Sequence, residues 1–347
     1  MAGTTNTVNI AGLTNAAKIY APGITALPFY VMNAVTAALG IRILEVKGEH
    51  ILVNRRRKAG ILAPYKPGLT LGQEQEIIKF LEMKLKPERT YAEIVDNVTM
   101  YDDVKVISDA GNFVDNKTKK HPLELDIITA IVRSYAEDVV NYMFFAERDD
   151  TVKSPATAFN GFNMKKDALI AGGLISAPEK NLVTTGAFTN PASTTDTTPY
   201  EQLVSFVASA DPFLRQGQAL LRITEGTLLK ARAGYKNKVK AFNDPTMAEM
   251  LDRIKDDARC PNLTIMTHPA YGSGGGLMLT APGMLDFGVG SQSDDKFVQV
   301  RGYKDDPNDV QFWIQASYDA RINDVHRKVF QVNEQVNTAP DLAGDYK

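Results

Sequence analysis

The stretch PLELDIITAIVRSYAEDVVNYMFFAE, from Pro122 to Glu147, decides how the rest of this 347-residue chain is read. Ile128, Ile131, Val132, Tyr135, Val139, Tyr142 and Met143 recur at three- and four-residue steps, which is the period of one helical face. Pro122 suits the first turn, where its missing N–H costs nothing. At 1.5 Å per residue the predicted helix is about 39 Å long, enough to cross most of a domain instead of capping it. Between Pro122 and Asp150 seven acids stand against Arg133 and Arg148, so its exposed face is acidic and suits a basic neighbour.

Toward the N-terminus, residues 1–28 are poor in charge, rich in Thr, Asn, Ala and Gly, and interrupted by Pro22 and Pro28. No helical or strand period is evident, so an extended arm is predicted, mobile or laid on a neighbour, because such a segment buries too little apolar surface to offset its ordering entropy. A short helix follows near Phe29 to Leu39, then β-rich sequence from Ile41 to Val53 and near Ile77 to Leu85. The insert between them holds Arg55, Arg56, Arg57, Lys58 and Lys66, with Pro64, Pro67 and Gly68 and no acid from Asn54 to Leu71. It reads as a long basic loop in solvent or, more sharply, as a hairpin reaching out to a partner subunit.

Toward the C-terminus, Thr184 to Thr198 is a Thr/Ser/Asn/Pro-rich boundary. Thr198-Pro199-Tyr200-Glu201 reads as a capping box opening a helix that turns Leu203, Phe206 and Val207 inward. Leu220–Ile223 is a short apolar run, Thr224 can cap a helix, and Asp244-Pro245 opens another with Met247, Leu251 and Ile254 on one side. With a strand at Leu263–Met266 these make a compact α/β unit. Gly272–Gly276 reads as a hinge loop before a strand at Leu277–Thr280. Phe297–Tyr303 and Val310–Ser317 form a predicted hairpin with one buried face, Lys328–Val332 a third strand, and Asn337–Lys347 a polar tail.

Composition limits the chemistry. With 39 basic and 41 acidic side chains the net charge is 39 − 41 = −2, so no overall cationic field draws the chain onto nucleic acid. A single cysteine, Cys260, makes no internal disulfide and reads as a small buried hydrophobe. No secretory signal or membrane span is read, and four scattered histidines offer no metal frame. The glycine cluster lacks the Lys-Ser or Lys-Thr of a phosphate loop, and Asp286-Phe287-Gly288 stands without the rest of a kinase signature. No catalytic, cofactor-binding or metal-binding residues are therefore expected, and the chain reads as non-enzymatic. From Arg215 to Lys240 seven basic residues face only Glu225, and Arg215, Arg222, Lys230 and Arg232 within it are read as subunit-contact residues together with Arg55, Arg56, Arg57, Lys58 and Lys66.

Arm, basic hairpin, long helix, α/β unit and closing β hairpin, in this order, resemble the major capsid protein family of tailed phages, the Hong Kong 97-type fold. Ala158-Phe159-Asn160-Gly161-Phe162 is similar to that family's turn after its spine helix, with a small helix at Met164–Ala171 following. Thr264-Ile265-Met266-Thr267-His268-Pro269 and Gly276-Leu277-Met278-Leu279 are similar to its axial-domain strands. The resemblance implies an α+β capsid fold: N-terminal arm 1–40, extended loop 41–86, peripheral domain 87–198 and 291–335 with spine helix 122–148, axial domain 199–290 and tail 336–347. It further implies a tailed double-stranded DNA phage capsid subunit assembling as pentamers and hexamers, located in the virion and assembled in the host cytoplasm. Partners would be copies of itself, a separate scaffolding protein, a portal, a decoration protein and non-specifically packaged DNA, with no membrane and no cofactor. The alternatives are an encapsulin-like nanocompartment shell and, from another class, an α/β nucleotide-binding enzyme with its site near Gly272–Gly276. The family's Lys–Asn cross-link cannot be placed on these residues.

Overall fold

The computed structural model describes residues 10–57, 78–97, 123–240, 245–290, 297–302 and 309–340. Its first elements are α1 (Ile10–Ile19), α2 (Ala21–Ala38), β1 (Arg42–Val46), β2 (His50–Arg57), β3 (Ile78–Leu85), β4 (Glu88–Asn97) and the long helix α3 (Leu123–Tyr142). Next come α4 (Phe162–Ala171), β5 (Leu182–Val183), α5 (Thr198–Ala208), α6 (Pro212–Gln216), β6 (Ala219–Arg222), α7 (Glu225–Val239), α8 (Met247–Asp257) and β7 (Leu263–Met266). The chain closes with β8 (Ser273–Gly274), β9 (Met278–Thr280), β10 (Leu285–Gly290), β11 (Val298–Gly302), β12 (Asp309–Ile322), β13 (Phe330–Asn333) and β14 (Asn337–Thr338).

β12 is the axis of the first sheet. It pairs antiparallel with β4 along one edge, and with β11 and then β10 along the other, while β1 adds parallel to β10. Val310, Phe312, Ile314, Ala316 and Tyr318 alternate into the core, as strand geometry requires of a sheet covered on one face. The cover is α3 with α1 and α2: Ile128, Val132, Val139 and Met143 share one apolar cluster with Leu13, Ile24, Met32, Val35 and Leu39. In the second sheet, ordered β5-β13-β9-β6-β7, Leu221 and Leu279 pack under α5, α7 and α8 against Leu203, Phe206, Leu228 and Ile254.

Several sequence expectations are corrected here. Residues 10–19 and 21–28 are helical, not extended, and run on into the helix expected near Phe29 to Leu39: Leu13, Ala16, Ala17, Ile24, Met32 and Val35 are buried against α3 and the first sheet, and that burial supplies what weak local propensity does not. Pro22 sits in the first turn of α2, and Pro28 is accommodated inside it. The long helix is also shorter than expected, 20 residues or about 30 Å, and the chain turns at Met143. There the carbonyls of Met143, Phe144 and Ala146 accept from the N–H groups of Phe162, Asn163 and Gly161. A Cβ on Gly161 would stand 2.8 Å from the Met143 carbonyl, so the tight return depends on glycine.

The expected box at Thr198–Glu201 does not form, because Thr197 caps α5 and its hydroxyl donates to the Glu201 carboxylate at 2.9 Å. A reciprocal box does form at α8, where Thr246 and Glu249 each take the other's backbone N–H. The third strand of the expected hairpin instead joins the second sheet as β13, between β5 and β9.

The expected polar tail starts inside the fold. Asn337 is buried, accepts from Gly276 N–H at 2.7 Å and donates to the Tyr271 carbonyl, while Asn333 accepts from Leu277 N–H at 2.7 Å and donates to the Gly275 carbonyl. The glycine cluster is thus a track for the chain's return. Gly272 has φ +77°, and a Cβ there would lie 2.1 Å from the Thr338 carbonyl. Gly272→Ala is expected to cost about 1–3 kcal/mol from backbone strain alone and to free the 333–338 segment. Thermal denaturation with limited proteolysis checks this: an unchanged midpoint and an uncut C-terminal segment would refute it.

Candidate intersubunit surfaces

β2 and β3 form an antiparallel hairpin in which Ile51 faces Lys84, Val53 faces Glu82 and Arg55 faces Phe80. The inward set Leu81, Met83 and Leu85 is buried, whereas Ile51, Val53, Ile78 and Phe80 form an outward apolar stripe from 46% to 59% exposed. The Arg55 guanidinium lies over the Phe80 ring, 6.0 Å from its centroid. A hairpin with one covered and one bare apolar face has the chemistry of a docking surface.

Of the two readings of the arginine run, this placement excludes the solvated loop at Arg55–Arg57 and agrees with a hairpin there. Arg55, Arg56 and Arg57 belong to β2, because their backbones are paired with β3. Arg56 points inward, toward Glu179 at 3.8 Å and Asp324 at 3.9 Å. The Arg57 side chain, and Lys58 and Lys66 altogether, lie outside the described residues.

A buried polar cluster holds the base of the hairpin. Asp286, fully buried on β10, accepts from Arg42 at 2.8 Å and from Arg321 at 2.7 Å. Arg321 also donates to Asn323 Oδ1 at 2.8 Å and to His50, at Nδ1 2.7 Å and at the carbonyl 3.2 Å. An arginine only donates, so His50 Nδ1 is the acceptor. Two residues earlier on β12, Asp319 accepts from Lys86 N–H at 2.8 Å and pairs with Lys165 at 2.9 Å. Burial pushes the Asp319 carboxyl above the ordinary aspartate range despite Lys165. Asn54 reaches the Asn323 carbonyl, so Asp319, Arg321 and Asn323 fasten the hairpin along its root.

The second basic group divides. Arg222, expected at a subunit contact, is fully buried: its guanidinium donates to the Leu39 carbonyl, Gly40 carbonyl and Thr280 hydroxyl at 2.7, 3.2 and 2.9 Å. Its position in the run Ala219-Leu220-Leu221-Arg222-Ile223, all buried, was the available signal. Arg215, Lys230 and Arg232 are partly buried and donate to the carbonyls of Ala210, Phe188 and Pro245. Much of the seven-to-one charge excess therefore serves to close loops on this chain.

Lys238 and Arg253 flank Asp257, which also accepts from Tyr200 at 2.9 Å. Burial raises the Asp257 carboxyl, but the hydrogen bonds from Lys238 and Tyr200 and both positive charges outweigh it, so the group titrates below the usual aspartate range. A depressed folded pKa gives stability that is present above the unfolded value and lost as pH falls through the folded one. Asp257→Asn is expected to lower stability at neutral pH and to leave the acid limb, below about pH 4, less steep. Denaturant midpoints measured from pH 7 to 2 check this, and parallel curves for the two proteins would count against it.

Sequence reasoning missed two surfaces. The 23 residues from Ile19 to Ile41 contain no charged side chain, yet α2 leaves Phe29 and Tyr30 exposed opposite its buried face. That charge-free run was legible. On the outer face of the first sheet Tyr91 stacks on Trp313 at 5.6 Å, beside a cavity of about 360 Å³ lined by Tyr91, Asp138, Arg148 and Phe159. Its Arg148 pairs with Glu88 and Asp150, and Lys153 with Glu93, so these charges are spent on one another. Among the described residues no cluster of His, Cys, Asp and Glu could hold a metal ion, and no helix is long and apolar enough to cross a membrane.

No protein-family model and no curated protein matches this chain. Solved structures do. The capsid of Myoviridae phage XM1 is similar at 6% identity over 86% of this chain and 91% of that one, with a TM-score of 0.50. The satellite phage P4 procapsid including size determination (Sid) protein aligns at 14% identity over 88% and 89%, with a TM-score of 0.48. The virus-like particle from Pyrococcus furiosus aligns at 10% identity over 90% and 98%, with a TM-score of 0.43. At these identities the likeness is one of fold: the chain has the Hong Kong 97-type capsid fold, an α+β architecture.

Proposed function

We propose that this chain is a capsid shell subunit, the major capsid protein of a tailed double-stranded DNA phage, which assembles as pentamers and hexamers into an icosahedral shell. The observation that carries the reading is the β2–β3 hairpin, rooted by a buried ion cluster and bare on its outer apolar face, in a chain with a capsid fold. Each large apolar side chain covered by a neighbour contributes about 1.5–3 kcal/mol, and closing a shell repeats the contact many times over. Arg55, Arg57, Lys58 and Lys66 are the proposed charged members of the contacts, joined by the part-exposed Arg215, Lys230 and Arg232 through the donors that their carbonyl bonds within this chain leave over, and Arg56 and Arg222 are not. The peripheral domain would span 87–198 and 291–335, and the axial domain 199–290, with β10 pairing into the first sheet beside β12, and β5 and β13 into the second beside β9. Scaffolding, portal and decoration proteins and packaged DNA are the proposed partners. The shell would form in the host cytoplasm and remain as the virion coat.

Negative-stain electron microscopy with light scattering on the protein, alone and co-expressed with a scaffolding protein, tests this. Closed shells, or rings of five and six, are expected. A monomer at every concentration under both conditions would overturn the proposal.

A further inference from the structure

The two apolar clusters are separated by the β6 sheet, and Arg222 crosses between them. On β6, Ala219 and Leu221 point into the cluster under α5, α7 and α8, while Leu220 and Arg222 alternate to the opposite face. That face meets the corner where α2 ends and β1 begins. Gly40 there has φ +62°, and a Cβ on it would stand 2.8 Å from Leu220 and 3.3 Å from Met266, so the corner packs hard on β6 and β7. Arg222 donates through Nε to the Leu39 carbonyl, through Nη2 to the Gly40 carbonyl and through Nη1 to Thr280 on β9.

Two features make this contact unusual. No carboxylate among the described residues pairs with Arg222, and burial pushes the guanidinium down to about 10. Its charge is met instead by dipoles, chiefly the free carbonyls at the C-terminal end of α2, where a cation is favoured. A buried cation held only by acceptors leaves little middle ground, because losing the corner strands the charge and the carbonyls together.

We propose that Arg222 is a latch joining the second sheet to the α2–β1 corner, so that a displacement of α2 is delivered to β6 and the two clusters open together. α2 rests along α3 while its end is gripped by β6, so this corner ties the helical cover of the first sheet to β6, beside the apolar contacts that Met278, Phe330 and Val332 of the second sheet make with the same cover. This inference stands whatever the outer surfaces bind.

Hydrogen exchange and thermal denaturation of the full chain test it, using the wild type, Arg222→Met and Arg222→Lys. The methionine variant keeps most of the volume without charge or donors. It is expected to exchange the amides of Leu39, Gly40, Ile41 and Ile223 about tenfold faster or more, with α8 amides such as Ile254 unchanged, and to split one unfolding transition into two. The lysine variant, with a cation but no fork of donors, is expected to fall between. Wild-type exchange at the corner and a single transition in Arg222→Met would overturn the latch. If that variant does not fold, Arg222→Lys and Thr280→Val, which removes one acceptor, decide the matter. Faster corner exchange in both supports the latch, and wild-type exchange in both overturns it.

Discussion

Asp286→Ala is expected to be the most damaging single change considered for this fold, destabilising it by about 3–5 kcal/mol. The carboxylate is fully buried and accepts from two arginines of different kind. Arg42 is 56% exposed at its side chain and turns to water when its partner is lost. Arg321 is 3% exposed, cannot leave, and would keep its charge with only His50 and Asn323 to meet it. The penalty is therefore that of a stranded buried cation more than of a broken hydrogen bond. Arg42→Ala provides the comparison, since one partner of its pair is wet and the pair is worth about 1 kcal/mol or less. Chemical denaturation of the monomeric protein measures both. Similar losses for the two variants would show that Asp286 is not the keystone described here.

If the proposed shell function holds, Ile51→Glu with Phe80→Glu is expected to abolish shells while leaving the chain folded. Both side chains lie on the outward face of the hairpin, and the new carboxylates would face Lys84 and Arg55 across the ladder, so the hairpin gains cross-strand pairs. Each lost intersubunit contact would forfeit about 3–6 kcal/mol, from two large apolar groups, before any charge is buried. Sedimentation velocity and electron microscopy report assembly, and circular dichroism reports the fold. Particles at wild-type yield would remove this face from the contacts, whereas an unfolded variant would mean that the stripe packs within the subunit.

The parts of the fold legible in the sequence are those with strong contrast between faces. The α3 period, the alternation of Val310, Phe312, Ile314 and Ala316 against Gln311 and Gln315, and the strand at Leu263–Met266 all announce a buried side beside a polar one. α1 and α2 offer almost no such contrast, because Ala, Thr, Gly and Asn fill both faces and the core decides which is covered. The site divides in the same way. Local pattern places the arginine run beside β-forming sequence, but Arg55 pointing outward and Arg56 inward depends on the register with β3.

By itself the sequence determined the long helix and its amphipathic face, the alternation along β12 and the strand at Leu263–Met266. Those properties reside in neighbours along the chain, where spacing alone places side chains on a face. Only the tertiary structure decided that the glycine cluster is a track for residues 333–338, that Arg222 is a tie and not a surface charge, and that Asp286 roots the hairpin. Each of these depends on partners tens to hundreds of residues away, brought within hydrogen-bond distance by the packing of the two sheets.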